Sequence, residues 1–188
     1  KAKELGILLD KDSPQVRKLL QRIKALETEG YEFEGADASF ELELLKAMGL
    51  YKPSFQVLSF HARVNQWAMD RHAESEATVK IQLPDNSIAH TVANGDGPVD
   101  ALNNALRKAL EPYFPELKNV HLEDYKVRIL NGQRATKSKT RVLIESSDEN
   151  QQWCTVGVSE NIITASFTAL IDSIYYKLYK CDKTQTNN

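Results

Sequence analysis

The sequence is poor in the residues from which catalytic and metal centres are usually assembled. It holds 2 cysteines, 4 histidines and 8 glycines among 188 residues. Cys154 and Cys181 are far apart and show no ligand spacing, which reads as two reduced thiols of a cytoplasmic protein. His61, His72, His90 and His121 are scattered, with no second ligand at metal spacing. There is no G-x-S-x-G, no P-loop and no G-x-G-x-x-G opening a helix. The acidic pairs Glu41/Glu43 and Glu123/Asp124 read as solvated surface. No apolar run approaches the ~20 residues that span a bilayer, so a membrane span is excluded. Charge of one sign is missing too: 24 Lys and Arg face 26 Asp and Glu, a net charge of −2. Without a basic patch interleaved with aromatics, nucleic acid is not an expected partner.

What is present is periodicity. Ser13-Pro14 reads as an N-cap followed by proline at the first helical position. Val16, Leu19, Leu20, Ile23 and Leu26 form one apolar stripe, and Gly30 ends that helix. Asp37 is the expected cap of a second helix carrying Phe40, Leu44 and Met48, stopped by Gly49. Residues 1–52 therefore form a helical subdomain with too little apolar surface to stand alone. Lys1 to Gly6 looks like the tail of a further helix, and a first residue that is not methionine suggests a piece of a longer protein.

After Pro53 the period changes to two. Strands are expected at 54–66, near 78–83 and at 88–93, with a polar loop at 68–75. A helix follows, with Val99, Leu102, Ala105, Leu106 and Ala109 on one face. Then the order repeats. Strands are expected around 125–129, 141–146 and 153–158, with turns at Asn131-Gly132 and 148–151. Asn161 caps a last helix bearing Ile163, Phe167, Leu170, Ile174 and Leu178, and residues 181–188 are a polar tail. At an offset of 64, Thr91-Val92 falls on Thr155-Val156, Ala101 on Ala165, Ala105 on Ala169 and Leu106 on Leu170. The expected fold is α+β. Two pseudo-symmetric β-β-β-α units, 54–115 and 120–180, make one domain over 53–180 behind the helical subdomain. The last helix is apolar around much of its circumference, which suggests a subunit interface as well as a core.

The candidate site comprises the starts of the two long helices. Asn94, Gly95, Asp96 and Gly97 read as a tight turn leading into Pro98, Val99 and Asp100. The corresponding approach to the last helix is Val158, Ser159, Glu160 and Asn161. Each helix start would offer unpaired backbone donors to a carboxylate, and Asp96, Asp100 or Glu160 would receive an ammonium. A zwitterion with an aliphatic side chain suits such a place; the plain alternative is that the glycines only make the turn.

The segments GYEFEGADASFELELL (30–45), NGDGPVDALNNALRKAL (94–110), HLEDYKVRIL (121–130) and VLIESSDENQQWCTVGVSENIITAS (142–166) resemble the C-terminal part of the citramalate synthase family. That family is related to 2-isopropylmalate and homocitrate synthases. The resemblance implies a linker subdomain and a regulatory domain that dimerises and binds an end-product amino acid, with inhibitor binding concentrated at Gly95, Gly97, Pro98 and Asp100. It implies that condensation of acetyl-CoA with a 2-oxo acid belongs to a metal-dependent TIM barrel of the same chain, absent here, so that this fragment is not an enzyme by itself and holds no cofactor. Isoleucine is the effector the resemblance favours. Leucine, in a 2-isopropylmalate synthase, is the alternative. A ligand-free dimerisation scaffold, or a linker reaching into a partner's barrel, are further readings.

Overall fold

The structure, a computed structural model, describes residues 13–66, 73–130 and 138–186. The expectations for residues 1–6, for most of the loop at 68–75 and for the turn at Asn131-Gly132 lie outside the described residues. Among the described residues four α-helices and six strands follow one another as α1 (Pro14–Glu29), α2 (Asp37–Ala47), β1 (Gln56–Asn65), β2 (Glu74–Gln82), β3 (Ile88–Gly95), α3 (Pro98–Leu110), β4 (His121–Leu130), β5 (Lys139–Ser147), β6 (Gln152–Ser159) and α4 (Ile162–Thr186), with a short 3-10 turn at Pro115–Asn119. They make two antiparallel three-stranded sheets, in the orders β1-β2-β3 and β4-β5-β6, each followed by its helix. The α+β class with two β-β-β-α units is therefore as the periodicity implied.

The helix ends follow from local chemistry. Ser13 accepts a hydrogen bond from the Val16 N–H at 3.3 Å, with Pro14 behind it at the first helical position. Gly30 closes α1 with φ of 110°, a left-handed conformation that suits glycine. Asp37 is not the cap of α2; the cap position is Ala36, without a side-chain bond, and Asp37 is the first helical residue. There its carboxylate still faces the positive end of the helix dipole. Glu41 and Glu43, expected on the surface, are buried. Glu43 keeps its charge there because Arg22 and Lys46 bind it at 3.0 and 2.8 Å. The residues expected as a polar tail continue α4 as far as Thr186, with Lys183 lying 4.8 Å over the Tyr179 ring one turn before it.

The chain forms two compact units: the described residues up to Lys52 together with 121–176, and residues 53–120 together with those from Lys177 on. In the unit built on β1–β3, Ala77, Val79 and Ile81 of β2 and Leu102, Ala105, Leu106 and Ala109 of α3 are all at most 2% exposed. Burying each such leucine contributes about 1.5–3 kcal/mol. On the sheet's other face Ile88 and Val92 are 54% and 42% exposed among the described residues.

In the unit built on β4–β6, both faces are covered. On one, Thr155 and Ser146 point at α4: the Trp153 Nε1–H donates to Ser173 Oγ at 2.8 Å, and Ser146 Oγ lies 2.7 Å from the same atom. On the other, the α1–α2 hairpin packs Leu26, Phe33 and Ala36 against Val156, with Leu143 and Val158 beside them. Arg141 of β5 donates to the Gly30 carbonyl at 2.7 Å and pairs with Glu32. Leu26 and Ile23 of the expected apolar stripe are thus covered by the second sheet, whereas Leu20 of the same stripe is 55% exposed.

The duplication extends to one hydrogen bond shared by both units. Thr91 Oγ1 donates to the Ala105 carbonyl at 2.8 Å, and Thr155 Oγ1 donates to the Ala169 carbonyl at 2.8 Å. Both first strands carry a register shift at the matching place, between Val57 and Ser59 and between Leu122 and Asp124. Thr155 is fully buried, so Thr155→Val removes a buried bond and is expected to destabilise the fold by about 1–2 kcal/mol in urea denaturation. The same change at the part-buried Thr91 costs less.

Candidate functional site

At the start of α3 the chain reverses within two residues. Asn94 and Gly95 are not part of the turn; they end β3, paired with Glu76 and Ser75 of β2. The reversal is Asp96 and Gly97, and Gly97 is the N-cap with an extended backbone (φ −151°, ψ 170°) that any residue adopts. The two glycines therefore serve different ends. A Cβ on Gly95 would lie 2.8 Å from Ala101 Cα and 2.6 Å from Asp100 Oδ2, and closer still to Ala101 N, so the strand end abuts the helix backbone. A Cβ on Gly97 would meet nothing within 4 Å.

Gly97 has no side chain with which to cap α3, and Pro98 has no N–H. The first intrahelical bond is Ala101 N–H to the Gly97 carbonyl at 2.9 Å. The N–H groups of Val99 and Asp100 precede it, which makes this helix start an open donor site. Asp100 reaches backward and accepts from the Asp96 N–H at 3.0 Å and from Asn104 Nδ2 at 3.4 Å. Asn104 also donates to the Asn94 carbonyl at 3.1 Å. The Asp100 carboxylate thus holds the turn in shape. Beside the turn lies a cleft of about 500 Å³ lined by Ala73, Glu74, Ser75, Asn94, Gly95 and Asp96. Glu74 and Ser75 escaped the sequence reading; the signal for them was the pairing register, which sets Ser75 opposite Gly95.

The second helix start is different. Val158 and Ser159 end β6, and Glu160 and Asn161 make the reversal. Asn161 Oδ1 accepts from the N–H groups of Ile163 and Thr164 at 2.8 and 3.3 Å, and its own N–H donates to Ser159 Oγ at 3.1 Å. The Ile163 and Thr164 amides are satisfied inside the chain, so the open donor cluster expected at this helix start is not there. Val158 is half-buried against the hairpin core and serves packing there.

A smaller cleft of about 300 Å³ in the β4–β6 unit is lined by Glu34, Gly35, Asp124, Lys126, Leu143, Glu145 and Cys154. Lys126 pairs with Asp124 at 2.5 Å, and burial, with Glu145 beside it, pushes the Cys154 thiol up. A neutral thiol is a poor nucleophile. Among the described residues, no group of three or more His, Cys, Asp or Glu is placed to hold a metal ion, and no helix is long and apolar enough to cross a membrane.

Comparison with known proteins then decides the family. Residues 34–178 match the model of the LeuA allosteric (dimerisation) domain. The chain belongs to this family. It is 48% identical over 98% of its length to the (R)-citramalate synthase of Geobacter sulfurreducens, and 49% identical over 96% to that of Aquifex aeolicus. It is 28% identical over 97% of its length to the 2-isopropylmalate synthase of Methanocaldococcus jannaschii. The chain spans about a third of each of these relatives: 35%, 34% and 33%. It corresponds to the regulatory part of such an enzyme.

The division of labour between the two glycines of this LeuA domain is measurable. Gly95→Ala is expected to lower stability by about 1–3 kcal/mol, because the Ala101 backbone must move to admit the methyl group. Gly97→Ala is expected to leave the denaturation midpoint almost unchanged.

Proposed function

We propose that this domain is the dimerising feedback sensor of a citramalate synthase, and that it binds a branched-chain amino acid, isoleucine before leucine, at the start of α3. The observation that carries the reading is the level of identity: 48–49% to proteins named (R)-citramalate synthase, against 28% to a 2-isopropylmalate synthase. The parent enzyme would condense acetyl-CoA with pyruvate in a metal-dependent barrel of the same polypeptide, in the cytoplasm. The α1–α2 hairpin would be the covalent route to that barrel.

The geometry supports the ligand class. Open N–H groups at Val99 and Asp100, next to the positive end of the α3 dipole, suit a carboxylate. Glu74 and Asp96 in the adjoining cleft suit an ammonium. Asn94, Gly95, Gly97 and Pro98 supply the approach with little side-chain bulk. Val158, Ser159 and Asn161 are set aside from this site, because Val158 packs on the hairpin core and the Ser159 and Asn161 side chains are spent on capping α4. The homodimer is supported by the open face of the β1–β3 sheet, where Ile88 and Val92 lie exposed while the matching face of the other sheet is covered. Effector binding would bias the dimer between two states by a coupling free energy of about 1–3 kcal/mol.

Calorimetric titration with isoleucine, leucine and valine tests the site. Isoleucine is expected to bind more tightly than leucine, and at a hundredfold excess over its Kd to stabilise the fold by about 2.7 kcal/mol. Gly97→Asp is expected to abolish binding while leaving the denaturation midpoint of the ligand-free domain in place, since its Cβ enters open space. Binding of none of the three amino acids would leave the ligand-free dimerisation scaffold; unchanged isoleucine affinity in Gly97→Asp would move the site away from this turn.

A further inference from the structure

A second group of ionisable side chains sits where α2 meets α4 and the edge of β6. Asp172 is partly buried on α4. Ser39 of α2, itself only 2% exposed, places its hydroxyl 3.5 Å from Asp172 Oδ2 and accepts the Val156 N–H at 3.0 Å. One hydroxyl thus ties a strand edge, the hairpin and the last helix. The groups that face Asp172 come from each element around it: Tyr31 between the hairpin helices, Glu43 and Lys46 of α2, Tyr51 after α2, and Tyr175 of α4 itself. The cation that acts on Asp172, Lys46, is committed elsewhere, because it binds Glu43 at 2.8 Å and lies 5.2 Å over the Tyr51 ring. Among the described residues no cation forms an ion pair with Asp172.

We propose that Asp172 is a proton-operated latch: protonated, it lets the α1–α2 hairpin lie tight against α4 and β6, and ionised, it loosens that docking. Burial pushes its carboxyl up to about 6, with Glu43 adding to the rise and Lys46 and Ser39 opposing it. Its neighbours do not titrate in the same range. Burial raises Tyr31, Tyr51 and Tyr175, and although burial alone would raise Glu43, Lys46 and Arg22 hold it below the usual carboxylate range. The sign follows from linkage. A carboxyl with a higher pKa docked than undocked binds its proton more tightly when docked. Docking is therefore strongest below the ordinary carboxyl value near 4 and weakens as pH rises through about 6. Partial exposure trims the effect, which we place at about tenfold in the docking equilibrium. The latch does not depend on the effector reading and holds with or without a bound amino acid.

Hydrogen exchange of the 188-residue chain at pH 5 and pH 7.5, expressed as protection factors corrected for the intrinsic rate, reads the latch. Protection of α1 and α2 amides is expected to fall about fivefold across this interval, the part of the effect left above pH 5, relative to β2 amides of the other unit. In Asp172→Asn, a mimic of the protonated carboxyl, it is expected to stay constant. An equal fall in that variant, or constant protection in the unaltered chain, overturns the proposal. Should the variant not fold, the Asp172 carboxyl carbon in the unaltered chain decides by NMR: a midpoint near 6 supports the latch, and one near 4 refutes it.

Discussion

The constraint on which this architecture depends is the close seating of a helix on its own three-stranded sheet. Small residues on both surfaces make it possible. Ala101 and Ala105 of α3 approach Gly95 and Thr91, and Ala165 and Ala169 of α4 approach Gly157 and Thr155. At Gly157, as at Gly95, a side chain would enter helix backbone, including Ala169 N at 3.0 Å. At that spacing a threonine hydroxyl reaches a helix carbonyl, so each unit is joined by a bond as well as by packing. The turn into each helix then has only one place to be, and the candidate site inherits its shape from the fit below it.

From the same plan the two copies have diverged at both ends. One helix start is capped by Asn161 and closed; the other is capped by Gly97 and open. One sheet's outer face is covered by the hairpin, and on the other's Ile88 and Val92 stand exposed among the described residues. Val156 is fully buried while its counterpart Val92 is 42% exposed. One copy anchors the hairpin, and the other has a helix start without a side-chain cap and exposed apolar residues on its outer face.

Much of this was legible in the residues. Ser13-Pro14, Gly30 and Asn161 announced helix ends because capping is a local matter of donors, acceptors and backbone conformation. The offset between Thr91 and Thr155 marked the duplication because the shared bond requires a hydroxyl at one spot in each unit. Other features depended on the third dimension. Gly95 reads as a turn residue until the helix is seen lying against it. Glu41 and Glu43 look solvated until α2 is found buried between α1 and the second sheet. Glu74 and Ser75 join the site through strand register, and the open or closed state of a helix start depends on one side chain, glycine or asparagine. Asp172 gave no signal, since one acid on an amphipathic helix is ordinary until its neighbours are known.

The hairpin's choice of cover has a consequence for how the protein is made. α1 and α2 precede the first β-β-β-α unit in sequence yet lie against the second. Ser39 and Val156 are 117 positions apart, and Arg141 and Glu32 are 109 apart. On the ribosome, both helices must wait, with Leu26 and Phe33 uncovered, while the intervening residues emerge. Their docking is a late, long-range step with a large loop-closure entropy. The nascent chain is most vulnerable to proteases and aggregation in that interval, all the more because the β1–β3 unit takes in residues from Lys177 on and so also waits for the end of the last helix.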